Sequence, residues 1–233
     1  MISQEPVSIN PLSRLGFAAD GVLEEGAFGA VAAPAGVGKT ALLVQFALHA
    51  MLKGHPVLHV SLQDPVQKIG LWYREMFQNL AVHQKLHPIG GIWERILPFR
   101  FIMSFQVDGF SVPRLAERIS DLTAQNIFHP RLMIVDGLRF QEGVAPVLAD
   151  LKTFAEGCGL GVWFTVHTHR GDSNGSDGGQ AVFGEFADYF AVILRLEPVG
   201  RDIQIRVEKG LPGPVPPLPL ALDPTSLMIL DAV

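Results

Sequence analysis

The sequence predicts an α/β fold with a mostly parallel sheet and antiparallel strands toward the C-terminal end, on three observations. Short apolar runs recur along the chain: FGAVAA (28 to 33), PVLHVS (56 to 61), FRFIM (99 to 103), RLMIVD (131 to 136) and GVWFTV (161 to 166). Each is apolar along its length rather than at alternate residues, which suits strands buried on both faces of a parallel sheet. Segments with helical spacing lie between several of these runs, so strand and helix alternate. After Ala181 the helical pattern gives out. AVILRL (191 to 196), IQIRVEK (203 to 209) and LPLAL (218 to 222) follow one another across turn-rich pieces and predict antiparallel strands at the sheet edge.

The helices differ in character. KTALLVQFALHAML (39 to 52) is apolar nearly all round, as a helix buried on most sides must be. VQKIGLWYREMFQNLAVHQ (66 to 84) is amphipathic, and its cluster of Leu71, Trp72, Tyr73, Arg74, Met76 and Phe77 predicts core and subunit-interface contacts. VPRLAERISDLTAQNIF (112 to 128) places Leu115, Ile119, Leu122 and Ile127 toward one side. LPGPVPPLP (211 to 219) reads as a rigid hairpin connection whose prolines protect an edge strand. No internal repeat or composition break divides residues 1–233, so a single domain is expected.

With 48 % hydrophobic residues in 233, the chain has ample material for a core. Charged residues make up 18 %, the net charge is −5 and the pI is about 5.9, so no overall field draws it to a polyanion. Single-stranded DNA is therefore a less favoured partner, one that would need a local basic patch. The lone Cys158 rules out an internal disulfide, is compatible with a reducing compartment and is expected to pack as a small apolar residue. The N-terminal MISQEPVSIN has no base and no apolar run, so no secretory signal is expected and the location is taken as cytoplasmic. FGAVAAPAGVG and VWFTV fall well short of the roughly 20 residues that span a bilayer, so no membrane association is expected.

One segment carries specific chemistry. Ala33 to Thr40, APAGVGKT, fits a phosphate-binding loop with Ala where a first Gly is commoner, between a predicted strand and a predicted helix. Small residues let the backbone wrap an oxyanion, and N–H groups at a helix start add partial positive charge. Ala35, Gly36, Val37, Gly38, Lys39, Thr40 and Ala41 are thus the candidate nucleotide-binding residues. Lys39 is expected to reach the β and γ phosphates and the Thr40 hydroxyl to coordinate Mg²⁺. Such a loop needs an acid on a neighbouring strand to hold the metal, and RLMIVD ends in Asp136, a Walker B arrangement. No NKxD-type guanine-reading motif is present, which disfavours a Ras-like GTPase and leaves ATP with Mg²⁺ as the expected cofactors.

In order along the chain, LEEGAFGAVAAPAGVGKT, VLHVSLQDP, LMIVDGL, VWFTVHTHR, FADYFAVILRL and IRVEKGLPGP resemble the RecA-like P-loop ATPases, particularly the RepA and DnaB helicases and the KaiC-like proteins. The resemblance implies a three-layer α/β/α fold, a homo-oligomer such as a ring, and further site residues. In those families the strand after the P-loop helix typically ends in a Glu that activates the attacking water, and that position is Gln63 here. The polar sensor of the γ phosphate at the end of the fifth strand maps onto His167. The Lys and Arg pair that a neighbouring subunit often supplies, as KxR on a late strand, aligns with Lys209-Gly210-Leu211, where the lysine is present and the arginine is missing. Arg206 or Arg201 are the substitutes the sequence offers.

Gln can hold a water but cannot accept the proton it loses, and loss of a general base costs about 10² to 10⁴ in rate. Adjacent Asp64 would face the other way in an extended strand and could substitute only if the backbone has turned, as Pro65 allows. The absent arginine counts for about 10³ to 10⁵ more where an arginine finger operates. The expectation is an ATP/Mg²⁺-binding switch or assembly scaffold with slow or no hydrolysis and an unidentified protein partner. A RepA/DnaB-type ring helicase or other DNA-associated motor is the first alternative. Against it, the loop GDSNGSDGGQ (171 to 180) has two Asp and no Lys, Arg or aromatic residue, and LRFQEG (138 to 143) supplies only one Arg and one Phe. A small-molecule kinase is the second alternative, with only Arg95 and Arg100 as a basic cluster.

Overall fold

The computed structural model describes residues 23–106, 109–168, 183–210 and 220–230. In chain order the elements are β1 (Phe28–Ala33), α1 (Lys39–Leu52), β2 (Val57–Ser61), α2 (Val66–His83), α3 (Ile89–Ile96), β3 (Arg100–Ser104), α4 (Val112–Ala124), β4 (Leu132–Asp136), α5 (Ala145–Cys158), β5 (Gly161–His167), β6 (Val192–Val199), β7 (Asp202–Lys209), β8 (Leu220–Leu222) and β9 (Ile229–Leu230). The strands form one sheet in the order β3-β2-β4-β5-β1-β6-β7-β8-β9. The first six in that order are parallel, and β7, β8 and β9 continue antiparallel.

Two cores make the three-layer α/β/α arrangement. On one face α1, α2 and α3 pack on Val31, Val57, Ile134 and Trp163; on the other α4 and α5 pack on Ala30, Val60, Met133 and Phe164. The central strands are buried on both faces, which is why their sequences read as unbroken apolar runs. Helix α1 is buried from Ala41 to Met51 because the sheet, α2 and the β8–β9 end enclose it. Gly29 lies against the Trp163 ring, where an added Cβ would sit 2.6 Å from a ring carbon. Beside it, Trp163 and Phe46 tilt together with ring centroids 5.1 Å apart.

Several expectations need correction. AVILRL reads as an antiparallel edge strand, yet β6 pairs parallel with β1, in register from Gly29↔Val192 to Ala32↔Arg195. The chain crosses a sheet face before pairing: the 3-10 helix Gly184–Tyr189 and its flanks bury Phe183, Phe186 and Phe190 in the second core. A 3-10 turn has no 3.6-residue period, so this crossover leaves no helical signature. Helices α3 and α5 go beyond the expected set, although α5 buries Leu148, Leu151 and Ala155. The α4 helix stops at Ala124; Asn126 takes φ 56° and Ile127 is left 59 % exposed instead of joining Leu115 and Ile119. Cys158 is exposed at the end of α5 rather than packed. In α2, Tyr73, Met76 and Phe77 are core, whereas Leu71 is exposed. Residues 171–180, 211–219 and the first ten lie outside the described residues. No helix among the described residues is long and apolar enough to cross a membrane.

Candidate functional site

The strand order sets the site. β1 lies between β5 and β6, and the segment Pro34–Gly38 leaves its C-terminal end to enter α1. Gly36 and Gly38 have φ of +77° and +101°, conformations that side chains with a Cβ resist, so both turns depend on glycine. Gly38 is the N-cap of α1, and among the described residues no side chain caps that end. The first N–H groups of the helix are therefore left for an external acceptor. A Cβ built at Gly36 would meet nothing within 4 Å, so the loop has open space beside it. Val37 is buried in the first core and anchors the loop from below, while Ala35 is exposed.

Lys39 bends back over the loop, its Nζ donating to the carbonyls of Ala33 (2.8 Å) and Pro34 (2.9 Å). Burial lowers its pKa, and the negative charge of Asp136 partly opposes that shift. An ammonium on loop carbonyls is one that a phosphate oxygen can recruit without new folding. Thr40 follows on α1, and its Oγ1 donates to Asp136 Oδ2 at 2.9 Å across the intervening β5. Thr165 of β5 fills the gap: its hydroxyl donates to Asp136 Oδ1 (2.7 Å) and accepts from the Gly137 N–H (2.9 Å). Burial works to raise the Asp136 pKa. The nearby His59 ring, then the Thr165 and Thr40 hydroxyls, outweigh it and hold the carboxyl below its ordinary range.

These residues fit a magnesium nucleotide. Glycine turns leave a helix start uncapped, a lysine is at hand, and a hydroxyl and an ionised carboxylate stand together where a hydrated Mg²⁺ needs only one or two protein oxygens beside the phosphates. Ala41 begins the buried face of α1. The loop is also braced from far along the chain. Gln45 of α1 donates to the Leu227 carbonyl (2.7 Å) and accepts from the Ile229 N–H (3.2 Å), and Leu227 reaches over Gly38, where a Cβ would lie 3.3 Å from its Cδ2.

Gln63 is exposed just beyond β2, its stem against Gly137 and its amide 3.4 Å from the Gly137 carbonyl, one residue past Asp136. The backbone has indeed turned at Asp64, with the Ser61 hydroxyl bonding both its carbonyl (2.8 Å) and its N–H (3.0 Å). Its carboxylate nevertheless turns to Lys68 in the first turn of α2, at 2.9 Å. His167 ends β5 exposed, in register with Ala33 at the start of the loop. Lys209 ends β7 and donates to the Ala187 carbonyl at 2.9 Å. Arg206 pairs with Glu197 at 3.4 Å, and Arg100 lies over the rings of Tyr73 and Trp93, at 5.0 and 5.6 Å from their centroids.

The structure thus brings Lys39, Thr40 and Asp136 together, with Gln63 and His167 on neighbouring strand ends. Asp64 and Lys209 are instead engaged by Lys68 and Ala187. Two contributors escaped sequence reasoning, Thr165 and His59. Each is a polar residue inside an apolar run, GVWFTVH and VLHVS, and that is the signal that could have found them.

A family model described as an AAA domain matches residues 8–173, well over half of the chain. No curated protein matches it. Among solved structures, 487 chains match, so the fold is too widespread to single out one role. One of them, titled as an ATPase domain, aligns with TM-score 0.66 and 15 % identity, covering 91 % of this chain and 86 % of that one. At that identity the likeness shows the fold alone.

Proposed function

We propose that this chain, which belongs to the AAA domain family, binds ATP with Mg²⁺ and turns it over as the ATPase unit of a self-associating, DNA-associated motor of the RepA and DnaB kind. The observation that carries nucleotide binding is the contact of Thr40 Oγ1 with Asp136 Oδ2 beside the uncapped start of α1. Lys39 and the N–H groups from Gly36 to Ala41 would hold the phosphates; Thr40 and Asp136 would hold the metal. Bound Mg²⁺ would neutralise charge on the β and γ oxygens. His167, level with the loop entry, is suited to sense the γ phosphate. The fold-level likeness to a domain named as an ATPase favours turnover over mere binding, as analogy.

A second reading, a nucleotide-dependent switch or scaffold with slow turnover, is favoured by a specific observation. The position suited to polarise water holds an amide, Gln63, and the adjacent carboxylate, Asp64, is committed to Lys68. Self-association, a protein partner and a cytoplasmic setting remain part of both proposals.

The test is ATP binding and ATP turnover on the full chain, with and without single-stranded DNA. Stimulation by DNA supports the motor; tight binding with negligible turnover in either condition supports the switch. Lys39→Ala should weaken ATP binding at least about tenfold, as loss of a charge-assisted phosphate contact would, and unchanged affinity in that variant would defeat the nucleotide assignment itself.

A further inference from the structure

A histidine in the middle of a buried strand is expensive. His59 is fully buried in β2, in register with Ile102 of β3 and Ile134 of β4, where an aliphatic residue would pack without polar atoms to satisfy. Its Nδ1 lies 3.2 Å from the Tyr73 hydroxyl; its Nε2 lies 3.7 Å from Asp136 Oδ2 and makes no hydrogen bond among the described residues. A buried ring nitrogen left short of a bond costs about 1–3 kcal/mol, so its retention beside this carboxylate asks for a reason.

Tyr73 supplies the orientation. Its ring is fully buried in α2 and meets the imidazole edge to face, with centroids 5.7 Å apart. Burial pushes the phenol pKa up, so the hydroxyl keeps its proton. That hydroxyl has no other hydrogen-bond partner among the described residues, so donation to Nδ1 is the one arrangement there that satisfies its buried proton. An imidazole accepting at Nδ1 carries its ring proton on Nε2, the nitrogen that faces Asp136. Arg100 lies over the Tyr73 ring, its guanidinium carbon 5.0 Å from the centroid.

We infer that His59 is a positioning residue for Asp136: the Tyr73 hydroxyl fixes its Nε2–H tautomer, and that N–H steers the carboxylate electrostatically, across 3.7 Å, toward the metal site. Thr40 and Thr165 then occupy the carboxylate from the α1 and β5 sides, and the imidazole from the β2 side. Partners one step removed from a metal, such as this one, typically change metal affinity about 10- to 100-fold when removed. The inference rests on the ATP and Mg²⁺ reading above.

The experiment measures, on the full chain, binding of a non-hydrolysable ATP analogue across a Mg²⁺ titration and in excess EDTA. Wild type is compared with His59→Leu, His59→Gln and Tyr73→Phe. His59→Leu should raise the Mg²⁺ concentration for half-maximal tightening about tenfold, at the low end of that range because the contact is long. Tyr73→Phe should raise it about threefold, as loss of one neutral hydrogen bond would. His59→Gln, which keeps an N–H donor, should recover most of the loss, and affinity in EDTA should not differ among the four proteins. Should His59→Leu fail to fold, Tyr73→Phe decides alone. Wild-type nucleotide binding with an unchanged Mg²⁺ requirement in the variants overturns the inference only; no nucleotide binding by wild type overturns the nucleotide reading with it.

Discussion

Gln63→Glu is the sharpest test of the slow-turnover reading. Gln63 is exposed, and among the described residues its amide donates only the long hydrogen bond to the Gly137 carbonyl, at 3.4 Å. Losing it should cost a few tenths of a kcal/mol, within the ordinary range of about 0.5 kcal/mol for surface substitutions. The stem should stay where it is, because Gly137 (φ +92°) packs so closely that a Cβ there would lie 2.7 Å from Gln63 Cγ. A carboxylate would then stand against Gly137, the residue after Asp136, with the same reach as the amide. A general base contributes about 10² to 10⁴ in rate, and the low end applies here because no neighbouring arginine is assured. Steady-state ATP turnover should therefore rise about a hundredfold in Gln63→Glu, with ATP affinity and the urea unfolding midpoint unchanged. Brisk wild-type turnover that the variant fails to exceed would refute the reasoning, since the proton would then be leaving by another route.

Further outcomes follow from the same structure. His49 is buried in α1 with neither ring nitrogen bonded among the described residues, and burial, with the nearby Lys53 charge, lowers its pKa from 6.5 to about 4. The unfolded chain therefore binds the extra proton first. Stability should fall as pH drops from 6.5 to about 4, by roughly 3 kcal/mol at about 1.4 kcal/mol per pH unit, and be whole above that window. Urea unfolding against pH should show a flatter curve over that span in His49→Leu. Gly29→Ala puts a methyl 2.6 Å from the Trp163 ring between two buried strands, and denaturation should report a loss of about 2–3 kcal/mol.

Where sequence and structure agree, local physics decides. FGAVAA and KTALLVQFALHAML were legible to the residue because one is buried on both faces and the other nearly all round. The glycine turns announced the loop, since few other reasons place two such residues between a buried strand and a buried helix. Where they part, the deciding contact is remote. The direction of β6 depends on how the chain crosses beneath Phe183, Phe186 and Phe190, which no local period records. That Asp64 pairs with Lys68 depends on where α2 begins, and that Thr165 bridges Thr40 and Asp136 depends on which strand stands between β1 and β4.

The brace between Gln45 and Leu227 joins positions 182 residues apart. Nothing local can form that contact, so it is made only once the β8–β9 end has joined the sheet. The helix behind the phosphate-binding turn is thus supported in part by the β8–β9 end. Nucleotide affinity then becomes a gauge of the assembled sheet: ligand that binds only the native form should raise the unfolding temperature of the far edge together with that of the loop. Damage to the β8–β9 hairpin, which nears the predicted phosphate ligands through Leu222 and Leu227 beside Gly38, should register first as weaker ATP binding.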